Sequence, residues 1–292
     1  MEFEELTTQV SLGLVSGALL VLLALGVNLI FGLLEFVNFA HGAIYMIGAY
    51  ITVTLVADVG PYWIALAIVP IVMGAAGVLL ERTLIRPMYN RNQIDALLLT
   101  FGLSYVLIET VRTIKGSGGQ FVRGPSELTS QLSLGFGRPV PSYLVFVVAV
   151  VALVVLGLWL FLNRTDVGLI VRAGIRDATM VRALGVHFDR YRILVFALGV
   201  AVAGFAGVLT SPITGVYPEM GADILIMAFV VVVVGGMGSF WGSVISGLLI
   251  GQVVALTTLY DSRYAGIAPF LLMILVMTFR PRGLLGSAAH AS

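Results

Sequence analysis

The sequence predicts an all-α protein, a polytopic integral membrane bundle of 8 to 9 transmembrane or partly re-entrant helices. Three observations carry this reading. Of 292 residues, 59% are apolar and only 11% charged, with a mean hydropathy of +1.06, far from the composition of a soluble globule. Runs such as 143–162 and 265–279 reach or approach the roughly 20 apolar residues that a helix needs to cross a hydrocarbon core. These runs are continuously apolar, whereas the strands of a membrane barrel alternate polar and apolar residues.

The formal charge of +1 and the pI near 8.0 leave no concentrated basic face, so no nucleic-acid partner is expected. Cysteine is absent, which removes disulfides, thiolate metal sites and thiol nucleophiles from consideration. The opening residues Met1-Glu2-Phe3-Glu4-Glu5 are acidic where a cleavable leader is basic, so the first apolar run reads as a permanent span.

Taken in order, the apolar stretches predict spans at about 9–33, 37–57, 61–85, 94–115, 142–163, 192–210, 218–235, 240–260 and 265–279, within a single transmembrane domain covering 1–292. The seventh is the weakest. Its strongly apolar part, 224–234, is short for a full crossing and reads as a half helix or as a re-entrant hairpin with its neighbour. Cytoplasmic loops retain positive charge. Placing Arg82, Arg86, Arg91, Arg164, Arg172, Arg176, Arg182, Arg190, Arg192, Arg280 and Arg282 inside leaves Arg112, Lys115, Arg123, Arg138 and Arg263 outside. This predicts an external N-terminus, a cytoplasmic C-terminus and a cytoplasmic coupling loop at about 164–191.

That loop is long and patterned. Asp177 suits an N-cap and Gly185 suits the position just past a C-terminus, bracketing a helix of about two turns. Met180 and Leu184 are four apart, and Val181 and Leu184 three apart, so they share a face while Arg182 points elsewhere. Two readings fit: a docking element for a soluble partner, or a surface helix packed on its own bundle or on headgroups.

Asn38, His41 and Gly42 interrupt the apolar stretch 35–48. Polar groups at membrane depth are costly and functional by default, and a broken helix presents backbone groups to a transport pathway. The plain alternative is that Asn38 is a simple helix cap and His41 a satisfied interhelical donor. No metal site is expected, since His187 and His290 supply no ligand spacing around His41. In the stretch 228–243 a valine run meets Gly235, Gly236 and Gly238, read as a hinge or as close helix packing, with Gly238 and Gly242 at small-xxx-small spacing. Pro212, Gly215, Tyr217, Pro218, Glu219 and Asp223 form an external polar cluster, read mostly as solvated loop.

The sequence lacks a G-x-x-x-x-G-K-[ST] phosphate loop, so the chain itself is not expected to bind ATP. It also lacks G-x-S-x-G, H-E-x-x-H and any paired intramembrane carboxylates, so it is not read as an enzyme. Glu35, Glu81 and Glu109 fall near predicted span ends, where water can solvate them, leaving no proton-relay chain.

Together, several elements resemble the LivH-type permease of branched-chain amino acid ABC importers. They are Val37 and Asn38-Phe39-Ala40-His41-Gly42 with Tyr45-Met46-Ile47-Gly48, Glu81-Arg82 near Arg86-Pro87, and Gly168 through Arg172-Ala173 with Asp177, Met180 and Leu184-Gly185-Val186. The order continues with Ala203-Gly204-Phe205-Ala206-Gly207, Val231 to Gly236, Gly238-Ser239 and Arg280-Pro281-Arg282-Gly283-Leu284-Leu285-Gly286. The resemblance implies a LivM-like second permease, two cytosolic ATPase subunits that use MgATP, and an extracytoplasmic substrate-binding protein, in a prokaryotic plasma membrane. It implies that ATPase closure is transmitted through Arg172, Asp177, Met180, Val181, Leu184 and Gly185. It carries no local substrate-binding signature; Asn38, Phe39, His41 and Gly42 are read as substrate-pathway residues because they match the shared motif and break the apolar run. This chain would bind no cofactor. Relatives for urea and short amides keep a second cargo open, and an ATPase-independent secondary carrier is the alternative from a different class.

Overall fold

A computed structural model describes residues 3–34, 36–89, 91–132 and 139–286. Glu35, Arg138 and His290, named above, lie outside the described residues. All nine predicted stretches are helical. Among the described residues, seven helical stretches are long and apolar enough to cross a membrane: α1 (Phe3–Leu34), α2 (Ala40–Asp58), α3 (Tyr62–Leu80) with its extension to Met88, α4 (Gln93–Lys115), α5 (Ser142–Arg164), α8 (Phe188–Thr214) and α10 (Phe240–Tyr260). Two short helices, α6 (Asp166–Arg176) and α7 (Ala178–Ala183), fall in the predicted loop, whose last residues open α8. Helices α9 (Met220–Gly235) and α11 (Ala268–Phe279) have 16 and 12 residues. At 1.5 Å per residue they cover only about 24 and 18 Å, short of a hydrocarbon core of roughly 30 Å. The only strands among the described residues are the two-residue pair β1 (Gln131–Leu132) and β2 (Val140–Pro141).

Long apolar helices gain nothing from hiding apolar surface in lipid, so their packing depends on close approach and shape. Small residues provide it here. The α1–α10 pair interlocks where Gly17 faces Leu248 and where a Cβ on Gly251 would strike the backbone of Gly17. Gly26 of α1 faces Gly199 of α8, and Gly48 of α2 faces Gly204 of α8. The result is a dense interior of α1, α2 and α8, with Leu22, Leu23, Tyr45, Met46, Phe196 and Leu209 fully buried.

Pro212 lies inside α8 and cannot donate to the carbonyl four residues earlier. That carbonyl, on Val208, instead accepts from the Tyr62 hydroxyl at 2.9 Å and from Ser211 Oγ at 2.8 Å. The Tyr143 hydroxyl bonds the next carbonyl, on Leu209, at 2.8 Å, and the two phenols meet at 2.8 Å. Three helices are thus pinned where one lost a backbone bond.

The turn between α9 and α10 is also tied down. Asn28 of α1 accepts from the Gly238 N–H at 2.7 Å and donates to the Ser239 carbonyl at 2.8 Å and to Ser243 Oγ at 2.9 Å. Residues 280–286 fold back beneath it, where Leu284 and Leu285 N–H donate to the carbonyls of Val234 and Gly235 at 2.8 and 3.1 Å. These carbonyls belong to the last turn of α9, which lacks intrahelical donors.

Candidate functional site

The sequence motif at 37–42 sits where α1 gives way to α2. Asn38 is buried; its Oδ1 accepts from the Ala40 N–H at 3.1 Å, and its Nδ2 has no hydrogen-bond partner. The side chain therefore serves the start of α2, one residue before the position Phe39 occupies at the helix end. His41 is fully buried beside Gly26, and neither ring nitrogen makes a hydrogen bond. The interhelical partner expected for it is present only as the nearby backbone of Leu23 on α1, without the geometry of a full hydrogen bond. Gly42 touches Gly221 of α9, and a Cβ there would run into the Gly221 carbonyl.

Phe39 faces the other way. It is 37% exposed, packs edge-on against Phe101 of α4 with centroids 6.1 Å apart, and its N–H donates to Thr100 Oγ1 at 3.2 Å. It opens onto a groove of about 680 Å³ between α4, α9 and the segment that leads from α1 into α2, walled by Phe39, Phe101, Tyr105, Ile108, Leu225 and Phe229. At one mouth Arg112 pairs with Glu109 and, at 2.5 Å, with Glu219. The Arg112 guanidinium holds the Glu219 carboxyl below the usual carboxylate range. An apolar trough with a charged mouth suits a small solute carrying an apolar side chain and charged ends. Of the four proposed pathway residues, Phe39 alone lines it. His41 lies instead against Gly26 of α1 and Gly42 against Gly221 of α9, and Asn38 is not among the groove's wall residues. Sequence reasoning assigned Glu219 to solvated loop and Glu109 to a solvated span end; the signal that marks them is the Glu109/Arg112 pair inside an apolar run.

At the opposite end of the bundle, α6 and α7 form a compact shelf. Thr165 Oγ1 caps α6 by accepting from the Gly168 N–H at 3.0 Å, and Asp177 Oδ1 caps α7 by accepting from the Met180 N–H at 2.8 Å. Gly185 takes φ of +82°, the left-handed turn that glycine adopts most readily. Arg172 bonds the Leu162 carbonyl and Asn163 Oδ1, stapling α6 to the end of α5. The shared apolar face predicted for this helix splits. Val181 is buried against Leu33, Val171, Phe188 and Val195, so it anchors the shelf, while Met180 and Leu184 are 59% and 75% exposed. Successive residues lie about 100° apart around a helix, so Val181 turns inward while Met180 faces out, and Leu184, whose N–H still donates to the Met180 carbonyl at 3.1 Å, stays on the exposed side at the end of α7.

A polar network leads away from the shelf. Asp189 of α8 lies 3.2 Å from Arg182 of α7, and 3.8 Å from both Arg86 and Arg192. Arg192 lies over the Tyr89 ring, 4.5 Å from its centroid, and the Tyr89 hydroxyl donates to Glu81 Oε1 at 2.8 Å. Glu81 is fully buried in a π-helical turn that ends α3, which corrects its reading as a solvated end. Burial and the neighbouring Glu81 push the Tyr89 phenol up.

The glycine cluster also differs from its reading. Gly235, rather than Gly238, meets Gly242 at close range. Gly238 lies in the turn at φ of +81° with open space where a Cβ would be, and Gly236, at φ of +99°, is backed by Gly286. With the Asn28 bonds this is a fixed corner.

The fold and these sites define a multi-pass membrane permease. The chain belongs to the family described as branched-chain amino acid transport system / permease component, matching it over residues 9–277. It is 32% identical to the LivH permease protein of the high-affinity branched-chain amino acid transport system of Escherichia coli (strain K12), over 94% of this chain and 93% of LivH. Its identity to the BraD permease of Pseudomonas aeruginosa is 34%, over 94% of each chain. The LivM permease of the same E. coli system is 29% identical over 91% of this chain and 67% of LivM. No solved structure matches the chain.

Proposed function

We propose that the chain is the membrane-spanning subunit of an ATP-driven importer of branched-chain or related small amino acids, moving cargo inward by alternating access. The observation that carries this reading is the groove at Phe39, apolar along its walls and ionic at its mouth, matched to a zwitterion with an aliphatic side chain. The relatives named for branched-chain transport support the cargo. The eleven arginines that crowd the α7 end, against Arg112, Lys115, Arg123 and Arg263 at the other among the described residues, favour placing that end in the cytoplasm of a prokaryotic cell and the groove mouth outside. ATP would be hydrolysed, as MgATP, by two separate cytosolic ATPase subunits docking at Met180 and Leu184. Cargo would arrive on an extracytoplasmic binding protein, and a LivM-like permease would be the second membrane subunit. Chain 1–292 then acts as one permease domain with its coupling loop at 164–191.

The test is ATP-dependent uptake of radiolabelled leucine into proteoliposomes holding the complete assembly, with urea as parallel cargo. Leucine uptake that vanishes when this chain is omitted is the expected result. Urea uptake alone would replace the cargo, and uptake that persists without ATPase subunits would favour a secondary carrier. For docking, Leu184→Glu places a charge on an exposed side chain without touching the core. Co-purification with the ATPase should fall about tenfold, a loss of about 1.4 kcal/mol; unchanged binding would remove α7 from the mechanism.

A further inference from the structure

Positive charge at the α7 end of the bundle outruns the carboxylates available to balance it. Arg86, Arg182 and Arg192 stand 3.8, 3.2 and 3.8 Å from Asp189, so one carboxylate is shared by three guanidinium groups. Among the described residues, Arg91 and Arg176 pair with no carboxylate at all. Three of these side chains, Arg91, Arg176 and Arg192, line a single cavity of about 270 Å³. It lies where the end of α1, the link from α3 to α4, the end of α6 and the start of α8 meet. The groove at Phe39 has apolar walls; this cavity has three guanidinium groups and Gln93, and no carboxylate among the described residues that line it. Asp177 is engaged as the cap of α7, and Asp95, in the first turn of α4, is not part of the lining.

The cavity is built rather than incidental. The Arg192 side chain is only 15% exposed and lies over the rings of Tyr89 and Phe188, 4.5 and 5.3 Å from their centroids. Its buried Nε has no hydrogen-bond partner, and 3.8 Å to Asp189 is too long for a hydrogen bond. Packing therefore holds this charge in place without neutralising it. The wall behind is fixed as well, since Gly174 sits so close to the Phe188 ring that a Cβ would overlap it. Arg91 and Arg176 are exposed, so they can adjust to a ligand without disturbing the core. The N-terminus of α4 and the C-terminus of α6 both reach the cavity, and their opposite partial charges roughly cancel. The guanidinium groups decide its sign.

We propose that this cavity binds a phosphate group, supplied by the headgroup of an acidic phospholipid or by free phosphate. Guanidinium forks match phosphate oxygens bidentately, and a tetrahedral anion presents oxygens to three of them at once where a planar carboxylate presents two. The cavity lies among the ends of spanning helices, the depth at which lipid phosphates sit, and basic pockets between spans hold such headgroups. It is separate from the groove at Phe39, and neither Met180 nor Leu184 lines it, so the site stands whether or not the cargo reading does.

The test uses the full chain in phosphatidylcholine nanodiscs. One arm titrates inorganic phosphate, the other replaces part of the lipid with phosphatidylglycerol, and melting temperature is followed in both. Two double variants carry the decision: Arg91→Gln with Arg176→Gln in the cavity, and Arg82→Gln with Arg190→Gln outside it. All four side chains are exposed, and each pair removes the same charge from the same end of the molecule. The expected result is a saturable rise in melting temperature with at least one probe. Apparent affinity should fall at least about tenfold in the cavity variant, the scale of a lost hydrogen bond to a charged group, and stay close to that of the unaltered chain in the other. A response to phosphatidylglycerol alone assigns the site to lipid, and a response to inorganic phosphate alone assigns it to a soluble ligand. Equal losses in the two double variants reduce the effect to diffuse surface charge and overturn the proposal, as does the lack of a saturable response to either probe.

Discussion

Helices α1 and α4 are both long and apolar enough to cross a membrane but have opposite surroundings. Of the central stretch of α1, 78% is buried, against only 11% of that of α4. The difference follows from side-chain size along one face. Helix α1 presents Gly13, Gly17 and Gly26 to Gln252, Leu248 and Gly199, and a Cβ on any of them would crowd a neighbouring helix. Helix α4 has Gly102, which has nothing within 4 Å of where its Cβ would be. Apolarity says that a helix enters the membrane, and small residues with a neighbour at contact distance say which helices enter the interior.

The largest effect should come from breaking α1's side of the comparison. Gly251→Leu drives a side chain into the Gly17 backbone and should cost about 3 kcal/mol or more, read as loss of folded monomer in detergent. Gly102→Leu on α4 should leave the melting temperature of the isolated chain unchanged, and a comparable loss there would erase the contrast. Next in size is Asn28→Leu, which removes three hydrogen bonds from the α9–α10 corner. At about 0.6 kcal/mol for each bond in a membrane interior, the expected loss is about 2 kcal/mol, followed by equilibrium unfolding in mixed micelles.

Smaller again is Thr100→Val, which deletes the acceptor for the Phe39 N–H where α4 touches the start of α2. A cost of about 1 kcal/mol should appear as faster backbone amide exchange at residues 39–41, with α1 unaffected. The smallest effect concerns the Arg112–Glu219 tie between α4 and α9. Because the folded-state value of Glu219 is lowered, the stabilisation it brings is complete above the ordinary carboxylate range and fades as pH falls through the lowered value. A spin-label distance between α4 and α9 should therefore lengthen in acid, and Glu219→Gln should make it independent of pH.

The helices were legible because lipid imposes one simple demand, continuous apolarity, and every predicted span is met by a helix within a few residues. The short α7 was legible as well, since Asp177 and Gly185 act locally, within one turn of chain. What escaped depends on which distant segment lies opposite. Glu81 sits at the end of an apolar run and reads as solvated, but the π-helical turn carries it under Tyr89. Val181 and Leu184 share a helical spacing, yet only Val181 turns inward, and Leu184, at the end of α7, stays exposed with Met180. Gly238 has the right spacing to Gly242, but the turn after Gly236 swings it clear and leaves Gly235 at the crossing. The groove was the hardest to see. Phe39, Phe101 and Phe229 come from three separate spans, and nothing local to any of them announces the other two.

The folded-back segment 280–286 bears on the order in which the protein is made. It completes the last turn of α9, yet it is synthesised after α9, α10 and α11. Until it emerges, the carbonyls of Val234 and Gly235 have no backbone donors, and α9, with its 16 residues, is too short to hold a crossing alone. The Asn28 bonds can set the corner earlier, and these two backbone bonds are added afterwards, as a latch supplied by residues synthesised after the helices it fastens.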